Sequence, residues 1–90
     1  MPQKRSRAVL GPEFVALGRA AREVRARRDL SQEVLGSRGG LHRNYVGAIE
    51  RGEINPTFRV LSKLAYGLDV PLSELFLLYE ARQREEAIRR

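Results

Sequence analysis

The sequence predicts an all-α fold, a compact bundle of five helices, and three residue patterns point to it. Apolar residues recur at three- and four-residue intervals in successive segments, residues of the N-cap type stand just before most of those segments, and glycine, aspartate or proline stands where the patterns stop. Ninety residues suffice for one domain and not for two independent cores, so the helices should share a single core.

Residues 1–11 read as a flexible basic arm with no periodicity, either a solvated tail or a strand able to follow a phosphate backbone or a minor groove. Pro12 followed by Glu13 suits a helix start. Phe14, Leu17, Gly18, Ala21 and Val24 then recur at helical spacing to about Arg28, opposite an Arg-rich face. Ser31 is a favoured N-cap for a second helix, with Glu33 in the first turn where the helix dipole favours negative charge. Gly39-Gly40 interrupts it, because paired glycines supply the positive φ that ends a helix and re-aims the chain.

The third helix can start at His42 as N-cap, with Leu41 and Val46 placed to form a hydrophobic staple and Gly52 placed to close it. Val46 and Ile49 share one face and should be buried. Arg43, Asn44, Gly47, Ala48 and Arg51 recur on the other side as a row of donors beside two small residues. Arg and Asn are the side chains that read guanine and adenine edges bidentately, and small residues allow close approach to another surface. Gly47 costs about 1 kcal/mol relative to Ala in a helix interior, so helix stability alone does not select it.

Thr57 is a good N-cap for a fourth helix carrying Phe58, Leu61, Leu64, Ala65 and Leu68 on one face, broken by Asp69 and Pro71. A fifth begins near Leu72, with Leu72, Leu75, Phe76 and Tyr79 as its stripe. Leu77 and Leu78 fall outside that stripe and suggest a partner surface. The domain proper is expected to span 12–79, with 80–90 a polar helical extension that frays. The expected core is Leu17, Ala21, Val24, Leu35, Val46, Ile49, Leu61, Leu64, Leu68, Leu75 and Phe76.

The net charge is +6, and it is unevenly placed: residues 1–60 hold 12 of the 17 basic residues and 6 of the 11 acidic ones, while the remaining residues balance at 5 and 5. A basic half carrying the donor-rich helix suggests a polyanion on one side of the molecule. No run approaches the ~18 apolar residues of a membrane helix and the N-terminus lacks the apolar core of a secretory signal, so a cytoplasmic protein without membrane attachment is expected. Without cysteine there are no disulfides or thiolate metal sites. His42 has no second ligand at metal spacing, Gly36 to Gly40 lacks the strand and Lys-Ser/Thr of a phosphate loop, and Glu85-Glu86 lies in the polar tail. No catalytic residue, metal or cofactor is expected.

The run Leu30-Ser31-Gln32-Glu33, LHRNYVGAIERG over 41–52, Asn55-Pro56-Thr57 and VPLSELF over 70–76 resembles the Cro/repressor-like helix-turn-helix DNA-binding proteins across residues 17–76. The sequence departs from the family at Asp29, where Gly is usual, at Gly36, where Ala is usual, and at Gly39, where Ala or an apolar residue is common. The resemblance implies that Arg25 pairs with Glu50 and that the loop after the third helix lies near the DNA backbone.

Pattern and resemblance together lead to a sequence-specific, duplex-DNA-binding transcriptional regulator with the third helix in the major groove. Arg43, Asn44, Gly47 and Ala48 are expected at base edges, with His42 on the border, and Gln32, Arg51 and Tyr45 at phosphates. A homodimer through Leu77 and Leu78 is expected. The alternative is a protein-binding module, such as an antitoxin-like partner acting through the fifth helix.

Overall fold

Serine, histidine and threonine cap three of the helices with their own side chains. Ser31 accepts from the Val34 amide at 3.0 Å, His42 Nδ1 from the Asn44 amide at 3.0 Å, and Thr57 from the Val60 amide at 3.1 Å. The computed structural model describes residues 8–89, and within them lie α1 (Pro12–Arg27), α2 (Gln32–Gly39), α3 (Arg43–Glu50), α4 (Phe58–Leu68) and α5 (Leu72–Arg89). Residues 1–7, most of the expected basic arm, lie outside the described residues. The end of that arm is tied down, because the Leu10 amide donates to the Gly52 carbonyl at 2.9 Å.

Gly40, at φ 75°, ends α2 in the left-handed conformation and turns the chain into α3. Its neighbour Gly39 is chosen by packing: a Cβ there would stand 2.5 Å from the Lys63 carbonyl oxygen of α4. The departure from Ala at this position lets α2 and α4 touch backbone to backbone. Asp29, where the family favours glycine, adopts a left-handed φ of 59°, which aspartate tolerates better than most residues.

α1 packs on α3 and α5, α2 on α3 and α4, and α4 also meets α5. Leu35, Val46, Ile49, Leu64, Leu68 and Leu75 are the largest fully buried side chains, with one from at least each of α2 to α5, and Ala20, Ala21 and Val24 close the core from α1. Of the expected core, Leu61 is half-buried and Phe76 is 36% exposed; Phe58, placed on the apolar face of α4, is 72% exposed. At the first turn of α4, Phe58 lies beyond the end of the packed interface, so periodicity alone overstates its burial.

The register of α5 also differs from expectation. Its buried or half-buried stripe runs through Leu75, Leu78, Tyr79, Arg82 and Glu86, so Leu78 packs against the core and Phe76 rotates to the edge. Leu77 stays outward at 68% exposure. Polar contacts to α1 extend the same face: Arg82 pairs with Glu23 (Nε–Oε1 2.9 Å), and Arg19 pairs with Glu86 (2.9 Å) and Glu85 (3.5 Å). The polar segment after Tyr79 continues α5, and its Arg82, Glu85 and Glu86 meet α1.

Candidate nucleic-acid interface

The α2–turn–α3 segment presents its polar groups on one side because α3 buries the other. Val46 and Ile49 are 0% and 1% exposed, and the capping imidazole at His42 leaves the first turn of α3 projecting outward. His42, Arg43 and Asn44 are exposed, and the side chains of Arg43 and Asn44 enter no hydrogen bond or ion pair among the described residues. They are free donors and acceptors at the N-terminal end of a short helix. Half-buried Tyr45, packed against the core, borders this face.

Gly47 and Ala48, expected at base edges, are both buried. Ala48 belongs to the core cluster, since the chain after α3 folds back over it: the Glu53 amide donates to the Ala48 carbonyl at 3.0 Å and Ile54 joins the core. Gly47 is covered by the side chains of Gln32 and Arg51. Helical spacing set these two residues apart from Val46 and Ile49, but it carried no information about what lies over them.

Beneath the exposed face is a polar network. Arg25 of α1 donates from Nε to Glu50 Oε2 at 2.6 Å, from Nη2 to Glu50 Oε1 at 3.0 Å and from Nη1 to the Leu30 carbonyl at 2.9 Å. Gln32, the first residue of α2, adds a bond from Nε2 to Glu50 Oε1 at 2.9 Å. One carboxylate thus joins α1, α2 and α3. The Glu50 side chain is only 2% exposed, and a charge so buried requires this degree of satisfaction. Hydrogen bonding to Glu50 raises the Arg25 guanidinium pKa above its ordinary value, so the guanidinium keeps its charge.

A second carboxylate escaped sequence reasoning. Glu53, read there only as part of a loop, is 9% exposed and accepts from Arg51 Nε at 2.9 Å, which raises the Arg51 pKa. The available signal was faint: opposite charges two residues apart across Gly52, whose φ of 75° turns the chain back on itself. Arg51 itself is 59% exposed at its side chain. Among the described residues there is no cluster of His, Cys, Asp and Glu able to hold a metal, and no helix is long and apolar enough to cross a membrane.

Comparison with known proteins agrees with this geometry. The profile of the helix-turn-helix family matches residues 22–75. The control protein C.SmaI of Serratia marcescens is 41% identical over 59 residues, covering 66% of this chain and 70% of that one. The control protein C.MunI of Mycoplasma sp is 36% identical over 63 residues, covering 69% and 85%. Among solved structures, the restriction-modification controller protein C.AhdI from Aeromonas hydrophila superposes with a TM-score of 0.71 at 42% identity, over 73% of this chain and 100% of that one. The clp gene regulator ClgR from Corynebacterium glutamicum, at 19% identity, shares the fold with a TM-score of 0.80 over 86% and 82%. The chain belongs to the helix-turn-helix family, among its Cro/repressor-like transcriptional regulators.

Proposed function

We propose that this regulator binds duplex DNA sequence-specifically by inserting α3 into the major groove, with Arg43 and Asn44 reading base edges and Gln32 and Arg51 holding phosphates. One observation carries the reading: the outward first turn of α3 displays an Arg and an Asn whose side chains have no protein partner among the described residues, while the opposite side of the helix is sealed into the core. His42, occupied as the cap through Nδ1, and Tyr45 flank that turn. Similarity to control proteins supports a regulatory role and adds nothing to the antitoxin-like alternative. Such a protein acts where the DNA is, in the cytoplasm.

Selection of bound duplexes from a random pool tests it. A preferred sequence should emerge, and Arg43→Ala should cost about 1 to 3 kcal/mol on it and relax selectivity at one base pair. An unchanged consensus with Arg43→Ala would remove α3 from the reading role. With about six phosphates contacted, log K should fall with log salt at a slope near −5.

The working form is proposed to be a homodimer, since one helix reads only a few base pairs against very many competing genomic sites. Phe58, Phe76 and Leu77 expose apolar surface on α4 and α5, and Phe76 also lines an apolar groove of about 170 Å³ with Glu13, Phe14, Leu17, Leu61 and Tyr79. Leu77 belongs to this surface; Leu78, packed on the core, contributes to it less than expected. Two-fold pairing would place half-sites about 34 to 36 Å apart. Light scattering should give twice the 10.2 kDa chain mass, and Leu77→Glu should reduce it.

A further inference from the structure

Gly47 is buried on the outward side of α3 because two side chains cross it. A Cβ built there would stand 3.0 Å from Arg51 Nη1, 3.4 Å from Gln32 Oε1 and 3.6 Å from Gln32 Nε2. These atoms are the far ends of flexible side chains, so the fold itself leaves room for a methyl group. Alanine is also the better helix former. Neither packing of the backbone nor helix propensity accounts for glycine at this position.

The two side chains over Gly47 are each held from behind by a buried carboxylate. Gln32 Nε2 donates to Glu50 Oε1 at 2.9 Å, and Arg51 Nε donates to Glu53 Oε2 at 2.9 Å. The Glu50 and Glu53 side chains are 2% and 9% exposed. With Nε engaged, Arg51 keeps both Nη groups without a protein acceptor among the described residues, and its side chain remains 59% exposed. The guanidinium is therefore anchored at one end and open at the other.

We propose that Gly47 and Glu53 are positioning residues for DNA binding: the missing side chain at Gly47 leaves a seat across α3, and Glu53 fixes Arg51 in it with its Nη groups free for a phosphate. This rests on the DNA-binding reading above. It gives a reason for a helix-weakening glycine and for a buried acid close to a surface that meets a polyanion. Glu53 alone would repel phosphate; paired with Arg51, it orients a donor.

Gel-shift titrations on the duplex that the wild-type protein selects from a random pool test this with Gly47→Ala, Glu53→Gln and Arg51→Ala, singly and combined. Gly47→Ala should raise Tm by about 4 °C, as expected for a better helix former in a small domain. Both positioning variants should nevertheless weaken binding by about three- to tenfold, part of the effect of losing the charge-assisted contact itself in Arg51→Ala. The sign for Glu53→Gln is decisive, since removing a negative charge would by itself tighten binding to DNA. In the Arg51→Ala background the Glu53 and Gly47 changes should cost nothing further. Unchanged or tighter binding by either single variant, or equal losses in both backgrounds, overturns the seat while the DNA-binding reading stands. A wild-type protein that selects and shifts no duplex overturns both.

Discussion

α1 is tied to α3 at one place and to α5 at another, and both ties are made of arginine and glutamate. At α3 the partners are buried, with the Arg25 side chain 17% exposed and Glu50 2%, joined by two parallel bonds and braced by Leu30 and Gln32. At α5 most partners are wetter: Arg82 and Glu23 are 20% and 31% exposed and Arg19 and Glu85 37% and 49%, with Glu86 at 15% the driest of them. Identical chemistry has different consequences in the two settings. In the dry junction removal of one partner strands a charge, so the pair holds the site in one geometry; in the wet junction water replaces a lost partner, so the pairs add little to a helix that apolar contacts already hold.

Breaking the dry side should give the largest effect. Arg25→Ala leaves Glu50 buried without its counterion and should cost about 3 kcal/mol or more in urea unfolding, with little relief from added salt. A loss below about 1 kcal/mol would mean that Glu50 reaches water and that the two junctions are alike. Arg82→Ala should lower Tm far less than Arg25→Ala does, and at about 1 M NaCl its difference from wild type should vanish. A salt-independent loss as large as that of Arg25→Ala would erase the contrast.

The smallest effect concerns acid. Hydrogen bonding to Arg82 holds the Glu23 carboxyl below its ordinary range, against the opposing effect of its burial, with Arg27 adding to the depression. A depressed folded pKa contributes stability that is fully present above the unfolded value of about 4.3 and is lost as pH falls through the folded one. Glu23→Gln should therefore flatten a small part of the acid limb of the Tm–pH curve below that value and leave Tm near pH 7 only slightly lower. An acid limb unchanged by the substitution would show that Glu23 is unpaired in solution.

Legibility in the sequence followed the range of the interactions involved. Caps at Ser31, His42 and Thr57 could be read because the capping side chain acts within three residues of itself. The inward positions of α3 could be read because Val46 and Ile49 repeat at the helix period. Gly47 and Ala48 were misread as open surface for the opposite reason: their covering comes from Gln32, Arg51 and the returning chain at Ile54, which helical spacing cannot foresee. Leu78 and Phe76 exchanged roles because consecutive apolar residues at 75–79 allow more than one buried stripe, and only packing against the core selects between them.

The sequence alone determined five helices, their order and their approximate ends, since propensity, capping and periodicity are local, and its ordered motifs led to the family. Tertiary structure alone decided which carboxylates are buried, how α5 is turned on α1, and that Arg51 lies across a glycine under the hold of Glu53. Those features depend on which groups lose their water when distant segments meet, and desolvation is a property of the assembled fold.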